Sequence, residues 1–367
     1  MVLEKGSRGA GLVDIVSGSF GAGHDAAARE IAGRFEERGY LTRTWDVVDL
    51  FPLGVGRLLR AAYLQQLRHA PGTWGSLLRG LQHSDRSAQL ASRALAITAP
   101  GLLRIAADAP DLIVSTHPFA SQTLGRLRGA GRIDVPVVTY LTDMSVHPLW
   151  VHPSVDLHLA LHPIPAAQAR SLGGRAAVVD PLAGCHRPLH LVEPVAALRR
   201  RLGLPVAAPL ALVTGGAYGI GALDRAAADV SGTGLAHPVV LCARNTALRD
   251  HLQGRPGVTA LGWRDDLPDV LAAVDVVVQN AGGFTSQQAL AAGVPQVSYR
   301  CIPGHGETNA AALEQAGQVA WARTPDELPR VLGEALARPR VRDTTVRTSP
   351  GHDLVDVVFP ERVPVVA

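Results

Sequence analysis

The stretch SGSFGAGHDAAAREI, from Ser17 to Ile31, ends a turn of very small residues with a histidine. Gly18, Gly21 and Gly23 allow the backbone to turn sharply or to approach another molecule closely. His24 and Asp25 stand where Ala28, Ile31, Ala32 and Phe35 begin to recur at helical spacing. A glycine turn leading into a helix can hold an anion, and an imidazole placed there can take a proton. This stretch alone does not choose between the two. Two later segments, TGGAYGIGAL (Thr214 to Leu223) and QNAGGFTSQQALAAGVP (Gln279 to Pro295), repeat the order of strand, glycine turn and helix start, and the polar loop PGHGETN follows. Either glycine turn could serve sterics alone. Two in one region describe a diphosphate gripped by backbone N–H groups and helix ends, without a metal.

Two more segments end candidate strands with polar groups: VSTHPFASQ (Val114 to Gln122) and TYLTDMSVHPLWVHPSVD (Thr139 to Asp156). They bring Thr142 and Asp143 to a strand end. A carboxylate there can orient an imidazole and stabilise its charged form, or it can cap the next turn. His147, His152, His158, His162, His186 and His190 form a histidine-rich band that invites a zinc site. His158 and His162 have helical ligand spacing, but VDLHLALHP alternates as a strand does and ends at a proline. On a strand the two rings stand about 13 Å apart, too far for one ion. Cys185, Cys242 and Cys301 are far apart, without a CxxC pair, and read as reduced thiols of a cytosolic protein. No metal site is expected.

Strands and helices must position these groups. In the first half, candidate strands are GLVDIVS, TRTWDVVDL, DLIVST, VPVVTYL and VDLHLAL; in the second they are LALVTGG, PVVLCAR, VTALGW, VDVVVQN and PQVSYR. Each series alternates with helical patterns, as parallel βαβ units do. The expected fold class is α/β, with two Rossmann-like domains facing across a cleft into which His24 looks. Ligands of such sheets sit at the carboxyl ends of the strands. The proline-punctuated stretch HRPLHLVEPVAALRRRLGLPVAAP marks a boundary near residue 190. That divides the chain into residues 1–190, 191–338 and a tail, 339–367, that could pack back on the first domain.

With 367 residues, 47% hydrophobic and 18% charged, the chain is long enough for two cores and too apolar for wholesale disorder. A formal net charge of +3 does not imply a nucleic-acid partner. Charge is local instead: from Phe51 to Arg104 the sequence has Arg57, Arg60, Arg68, Arg79, Arg86, Arg93 and Arg104 against Asp85. Within it, Leu58, Leu59, Ala62, Tyr63 and Leu67 line one helical face, Arg57, Arg60 and Arg68 flank it, and Trp74 follows. Such a helix can pack on a sheet or lie on an anionic bilayer. No signal peptide and no transmembrane helix are expected.

The order of these motifs resembles the processive and monogalactosyl diacylglycerol glycosyltransferases, relatives of the lipid II-forming N-acetylglucosaminyl transferase, over roughly Val13 to Trp321. The resemblance rests on FGAGHDAAA, PDLIVSTHPF, TDMSVHPLWVHPSVD, LVTGGAYGIG, VVLCARNTALRDHL and AGGFTSQQALAAGVP with PGHGETNAA. It implies a GT-B fold with an acceptor domain followed by a UDP-sugar domain. It further implies an inverting, metal-independent transfer of a hexose from UDP-sugar to a lipid hydroxyl, diacylglycerol above others, with no cofactor. Carried over residue by residue, His24 is the base, with Asp143 beside it, and Gly21, Gly23, His117 and His147 lie on the acceptor side. Gly215, Gly216, Gly282, Gly283, Phe284 and Thr285 hold the diphosphate side of the donor, with Arg244 and Asn245 of the CARNTAL run. Trp263 and Arg264 match the uracil edge, Gln288 the ribose hydroxyls, and His305, Glu307 and Asn309 the sugar. Membrane-surface contact through residues 53–79, at the cytoplasmic face of the plasma membrane, is implied as well.

Three departures stand out. Gln288 replaces the usual glutamate. PGHGETNA replaces PGQExxNA, with His305 for glutamine and Gly306 for the acid. PLAGCHRP near Pro181 replaces a glycine-proline pair. The rival readings are transfer to a soluble or polyprenyl-linked acceptor, a UDP-sugar epimerase, and a UDP-sugar binder without catalysis.

Overall fold

The computed structural model describes residues 11–70, 72–73, 75, 80, 84–180, 182, 193–338 and 352–360. The boundary expected near residue 190 lies outside them, as do Trp74, Arg79, Pro181, Cys185, His186, His190 and most of the tail. The chain forms two compact units: Met1–Gln65 with Ser76–Leu182 and Thr348–Ala367, and Gln66–Gly75 with Ala183–Arg347.

The first unit is a parallel sheet in the order β2-β1-β3-β4-β5-β6. Its strands are β1 (Leu12–Ser17), β2 (Leu41–Asp46), β3 (Leu112–Ser115), β4 (Val137–Leu141), β5 (Leu157–Ala160) and β6 (Ala176–Val178). Its helices are α1 (Ala22–Glu37), α2 (Val55–His69), α3 (Asp85–Leu95), α4 (Ala99–Ala107), α5 (Pro118–Gly129) and α6 (Pro163–Ser171); α2 begins in this unit, and its last turn groups with the second. The central strands are buried on both faces, so they read as unbroken apolar runs. Asp14 is the exception on β1. It is fully buried, and its carboxylate accepts from Arg43 at 2.8 and 2.7 Å and from the Trp45 indole at 2.8 Å. A buried charge persists only with such a set of donors.

The run TRTWDVVDL ends as a strand at Asp46. The carboxylate of Asp46 accepts the Val48 amide and turns the chain into a 3-10 helix, Val47–Leu50. One helical stretch among the described residues, Gln89–Ala107, is long and apolar enough to cross a membrane by length and composition alone, a test that a core helix also meets. It runs from Gln89 in α3 through a 3-10 turn to the end of α4, and it sends Leu95, Leu102 and Ile105 into the core.

The second unit repeats the plan in the order β12-β11-β10-β7-β8-β9. Its strands are β7 (Leu210–Thr214), β8 (His237–Ala243), β9 (Thr259–Gly262), β10 (Val276–Gln279), β11 (Gln296–Tyr299) and β12 (Ala320–Ala322). Helices α7 (Val195–Arg201), α8 (Leu223–Gly232), α9 (Thr246–Leu252), α10 (Leu267–Ala273), α11 (Phe284–Ala291), α12 (His305–Gln315) and α13 (Leu328–Ala337) accompany them. All ten strands read from the sequence are present. The two additional ones, β6 and β12, are short, alanine-rich edge strands that are only partly buried.

The last described helix, α14 (Leu354–Val358), belongs to the first unit. Arg34 pairs with Asp353 at 3.3 Å, Arg38 pairs with Asp356, and Phe359 stacks on Tyr40 with ring centroids 5.2 Å apart. These contacts grip α1 at the end opposite His24.

Candidate active site

In the first unit the turn after β1 leads into α1, whose N-cap is Gly21 in an extended conformation, so His24 is the third residue of the helix. Its Nδ1 lies 2.7 Å from the carbonyl oxygen of Thr116, at the end of β3. A carbonyl only accepts, so Nδ1 carries the proton, and the basic lone pair of the neutral ring is on Nε2. Thr142 Oγ1 lies 3.2 Å from the same Nδ1, and the Thr116 hydroxyl donates back to the His24 carbonyl at 3.1 Å. The helix N-terminus disfavours the imidazolium form. The geometry therefore fixes the tautomer and leaves Nε2 as the nitrogen that can take a proton.

Aromatic rings wall this histidine. His117 meets it edge-to-face at 4.6 Å and Trp150 lies at 5.8 Å; Phe20 stacks on His117 at 5.2 Å. His117 caps α5, its Nδ1 accepting the Phe119 amide at 3.3 Å, so its own proton sits on Nε2. Burial first, then the neighbouring His24 and His147, hold its pKa well below the usual histidine value. Gly18 makes this packing possible, because a Cβ there would lie 2.5 Å from the His117 ring. Arg60 of α2 donates to Ser19 Oγ at 2.7 Å and ties the basic helix to the turn.

Asp143 follows Thr142 and is half-buried; burial first, and then the Asp143 charge, raise the Tyr63 hydroxyl above the ordinary phenol range. Gly21, Gly23, His117 and His147 belong to the same neighbourhood: His147 is 6.2 Å from Trp150 by ring centroid, and Gly23 lies inside the first turn of α1. Thr116 carried no sequence signal, since it acts through its carbonyl. His158 lies on a strand as expected, fully buried, with Nδ1 on the Arg175 carbonyl at 2.9 Å. Among the described residues no cluster of three or more His, Cys, Asp or Glu could hold a metal.

The second unit gathers the other predicted groups at the carboxyl ends of its strands. Gly215 packs so tightly that a Cβ would fall 2.1 Å from the Ile220 carbonyl, and Gly216 has φ of 70°. Asn245 braces this turn: its Nδ2 donates to the Gly219 carbonyl at 3.1 Å, while its Oδ1 caps α9 through the Leu248 amide at 3.0 Å. Arg244 spreads its guanidinium over Trp263, 4.4 Å from the ring centroid, with Tyr218 at 6.0 Å. Trp263 is 45% exposed and offers a flat face for a base, while Arg264 is forked onto Asp266.

Gly283 is the N-cap of α11, which carries Phe284 in the core and leaves Thr285 and Gln288 half-buried. The amides of Ala281 and Gly282 go to Gln279 Oε1. Asn309 donates to the Ala281 carbonyl at 3.0 Å and so ties α12 to the turn after β10, whereas Glu307 accepts the Gly304 amide at 3.0 Å and locks the start of its own helix. His305 opens α12 with a buried Nε2 that has no hydrogen-bond partner among the described residues. Gly306 has a local cause: a Cβ there would lie 2.5 Å from the Asn280 carbonyl oxygen. An acidic side chain cannot stand at that position without moving the backbone.

Beside these loops a cavity of about 330 Å³ is lined by Leu67, Ile220, Gly221, Ile302, Pro303 and Arg323, among others. Burial pushes the Cys301 thiol up to about 12 and the Cys242 thiol to about 11, so neither is a thiolate near neutral pH.

Residues 24–181 match the family model described as "Monogalactosyldiacylglycerol (MGDG) synthase". The chain is 26% identical over 347 residues to monogalactosyldiacylglycerol synthase 1, chloroplastic, of Arabidopsis thaliana, covering 87% of this chain and 64% of that one. It is 25% identical over 235 residues to the processive diacylglycerol beta-glucosyltransferase of Bacillus subtilis, covering 62% and 61%. The chain thus spans less than two thirds of the length of both relatives. The solved structure of Acinetobacter baumannii MurG superposes with a TM-score of 0.53 at 15% identity, over 95% of this chain and 99% of that one. The base-like histidine with its strand-end partners lies in the segment that the family model covers, and the two parallel sheets are those of glycosyltransferase neighbours. Residues 24–181 are thus similar to the MGDG synthase family model, and the two sheets have the GT-B fold of the solved neighbours.

Proposed function

We propose that this chain is an inverting hexosyltransferase that moves glucose or galactose from a UDP-sugar to the hydroxyl of diacylglycerol. The observation that carries this reading is the His24 tautomer. With Nδ1 donating to the Thr116 carbonyl, Nε2 takes the proton as the acceptor oxygen attacks the anomeric carbon. The bond to the departing UDP oxygen breaks on the opposite face, which yields a β-linked product. Charge growing on the diphosphate is met by amides of the turns at Gly216 and Gly283 and by the N-terminus of α11, so no metal is needed. The Arg244–Trp263 stack receives the uracil, Gln288 the ribose, and His305 a sugar hydroxyl through its buried Nε2.

The lipid acceptor comes from a bilayer surface. Leu53 and Leu58 are 101% and 70% exposed, beside the exposed Arg57, and they suit contact with the cytoplasmic face of a membrane. Each arginine near anionic lipid contributes about 1 kcal/mol, which gives reversible attachment.

The test is purified protein with UDP-glucose, UDP-galactose and a GDP-hexose, presented with diacylglycerol vesicles and with a soluble alcohol. The expected outcome is a β-glycosyl lipid formed from UDP-hexose with EDTA present, and a loss of about 10²–10⁴ in rate for His24→Ala. Turnover unchanged in that variant removes the base. A second reading, a UDP-sugar binder without turnover, is favoured by Gly306 packed on the Asn280 carbonyl, where an acid has no room. UDP binding without product from any sugar or acceptor selects it.

A further inference from the structure

Three strong candidates compete outside the roles already described: the cavity beside Cys301, the clasp of α14 on α1, and the oxygen of Thr142 at the His24 ring. The cavity's two guanidinium groups are committed, Arg300 to Asp229 and Arg323 to Glu314, so the lining names no ligand class. The clasp is accounted for by packing. The Thr142 contact carries an inference.

We infer that Thr142 is a positioning residue for His24: its hydroxyl oxygen shares the Nδ1 proton with the Thr116 carbonyl and stabilises the ring when Nε2 becomes protonated. This rests on the proposed role of His24 as base. The distances are 2.7 Å to the carbonyl and 3.2 Å to Oγ1, so the carbonyl is the main acceptor and the hydroxyl the second. Thr142 is 3% exposed and directly follows β4. When Nε2 accepts the acceptor's proton, the ring becomes a cation and Nδ1–H a stronger donor. Two oxygens on one N–H then favour the charged form more than the neutral one, which is the condition for lowering a barrier. A carboxylate at Nδ1 would raise the ring's basicity further and keep it charged before substrate arrives. A carbonyl and a hydroxyl support the developing cation more gently. The titratable groups on the elements around the ring are Asp25 on α1, His117 before α5, and Asp143 and His147 after β4.

The test uses full-length Thr142→Val, nearly isosteric, and Thr142→Ser, each read two ways. The first is kcat/KM against pH with UDP-hexose and diacylglycerol vesicles. The second is the titration and tautomer of His24 by NMR of 15N-histidine-labelled protein, assigned with His24→Ala. In Thr142→Val the plateau is expected to fall roughly tenfold, and the acid limb to move toward lower pH by about half to one unit, because the weaker base stays neutral further into acid. The His24 titration moves by the same amount, KM for the donor stays put, and Thr142→Ser restores both readings to within about twofold. A Thr142→Val enzyme with an unmoved limb and an unmoved His24 titration overturns the inference, as does a Thr142→Ser enzyme as defective as the valine form. If Thr142→Val does not fold, the serine variant against wild type decides through the NMR titration. Should the wild type turn over no UDP-hexose at all, the proposed function fails, while the NMR titration still judges Thr142.

Discussion

Replacing Gly18 by alanine puts a methyl carbon 2.5 Å from Cγ and Cδ2 of His117. Carbon atoms rest at about 3.5–4.0 Å, so either the ring or the turn must give by about an ångström. His117 has little freedom to comply, because Phe20, Phe119 and His24 stand at 5.2, 4.8 and 4.6 Å by ring centroid and its Nδ1 caps α5. Overpacking of this kind costs about 1–3 kcal/mol, which lowers Tm by roughly 2–12 °C for a unit of this size. The functional consequence is larger, since a displacement of about 1 Å in a reacting group can cost about 10²-fold in rate. The assay pairs thermal melts with hexosyl transfer. Gly33→Ala serves as control, because nothing lies within 4 Å of its new Cβ and helix propensity makes alanine the better residue there by about 1 kcal/mol. The double variant Gly18→Ala/His117→Ala should recover much of the stability that Gly18→Ala loses, because the clash is gone. If Gly18→Ala melts and turns over like the wild type, the tight packing between turn and ring is wrong, and so is the placement of His24 that depends on it.

Stability should fall in acid through His117. Its folded pKa lies below the unfolded value, so the unfolded chain binds a proton first, and stability drops as pH falls below about 6.5. His117→Phe should flatten that part of a Tm-against-pH curve between pH 7.5 and 5. Gly306→Glu, which restores the acid of the related loop, should lower Tm through the contact with the Asn280 carbonyl and should not raise kcat; a faster, equally stable enzyme would contradict this packing. Phe359→Ala, which removes a buried ring stacked on Tyr40, should cost about 3–5 kcal/mol in a denaturant melt of the first unit, whereas a loss under 1 kcal/mol would mean that the clasp is dispensable.

What the sequence made legible follows from what kind of signal each feature sends. Strands such as DLIVST and VDVVVQN are buried on both faces, so apolarity alone announces them, and the glycine turns announce the strand ends. The edge strands AAV and AWA bury less, and alanine, which dominates both, is a weak strand signal. His24 was readable because a glycine turn and a helix start frame it. Its partners were less so. The natural expectation at an imidazole is a carboxylate, and Asp143 is one residue from the group that lies at Nδ1. A threonine hydroxyl and a main-chain carbonyl carry no such type signal, because their meaning comes from β3 and β4 lying side by side in the sheet. Gly306 likewise looked like a lost acid until the Asn280 carbonyl showed what fills its space.

The clasp of α14 on α1 has a consequence for synthesis. Residues Ala183–Arg347 build the second unit before Asp353, Asp356 and Phe359 leave the ribosome, so in chain order the second unit is an insertion into the first. Because domains form as their residues emerge, the later lobe can mature while the earlier one still lacks its final piece. The helix that presents His24 is then fastened last. A stalled or clipped chain would carry a finished second unit and an unfastened imidazole in the first.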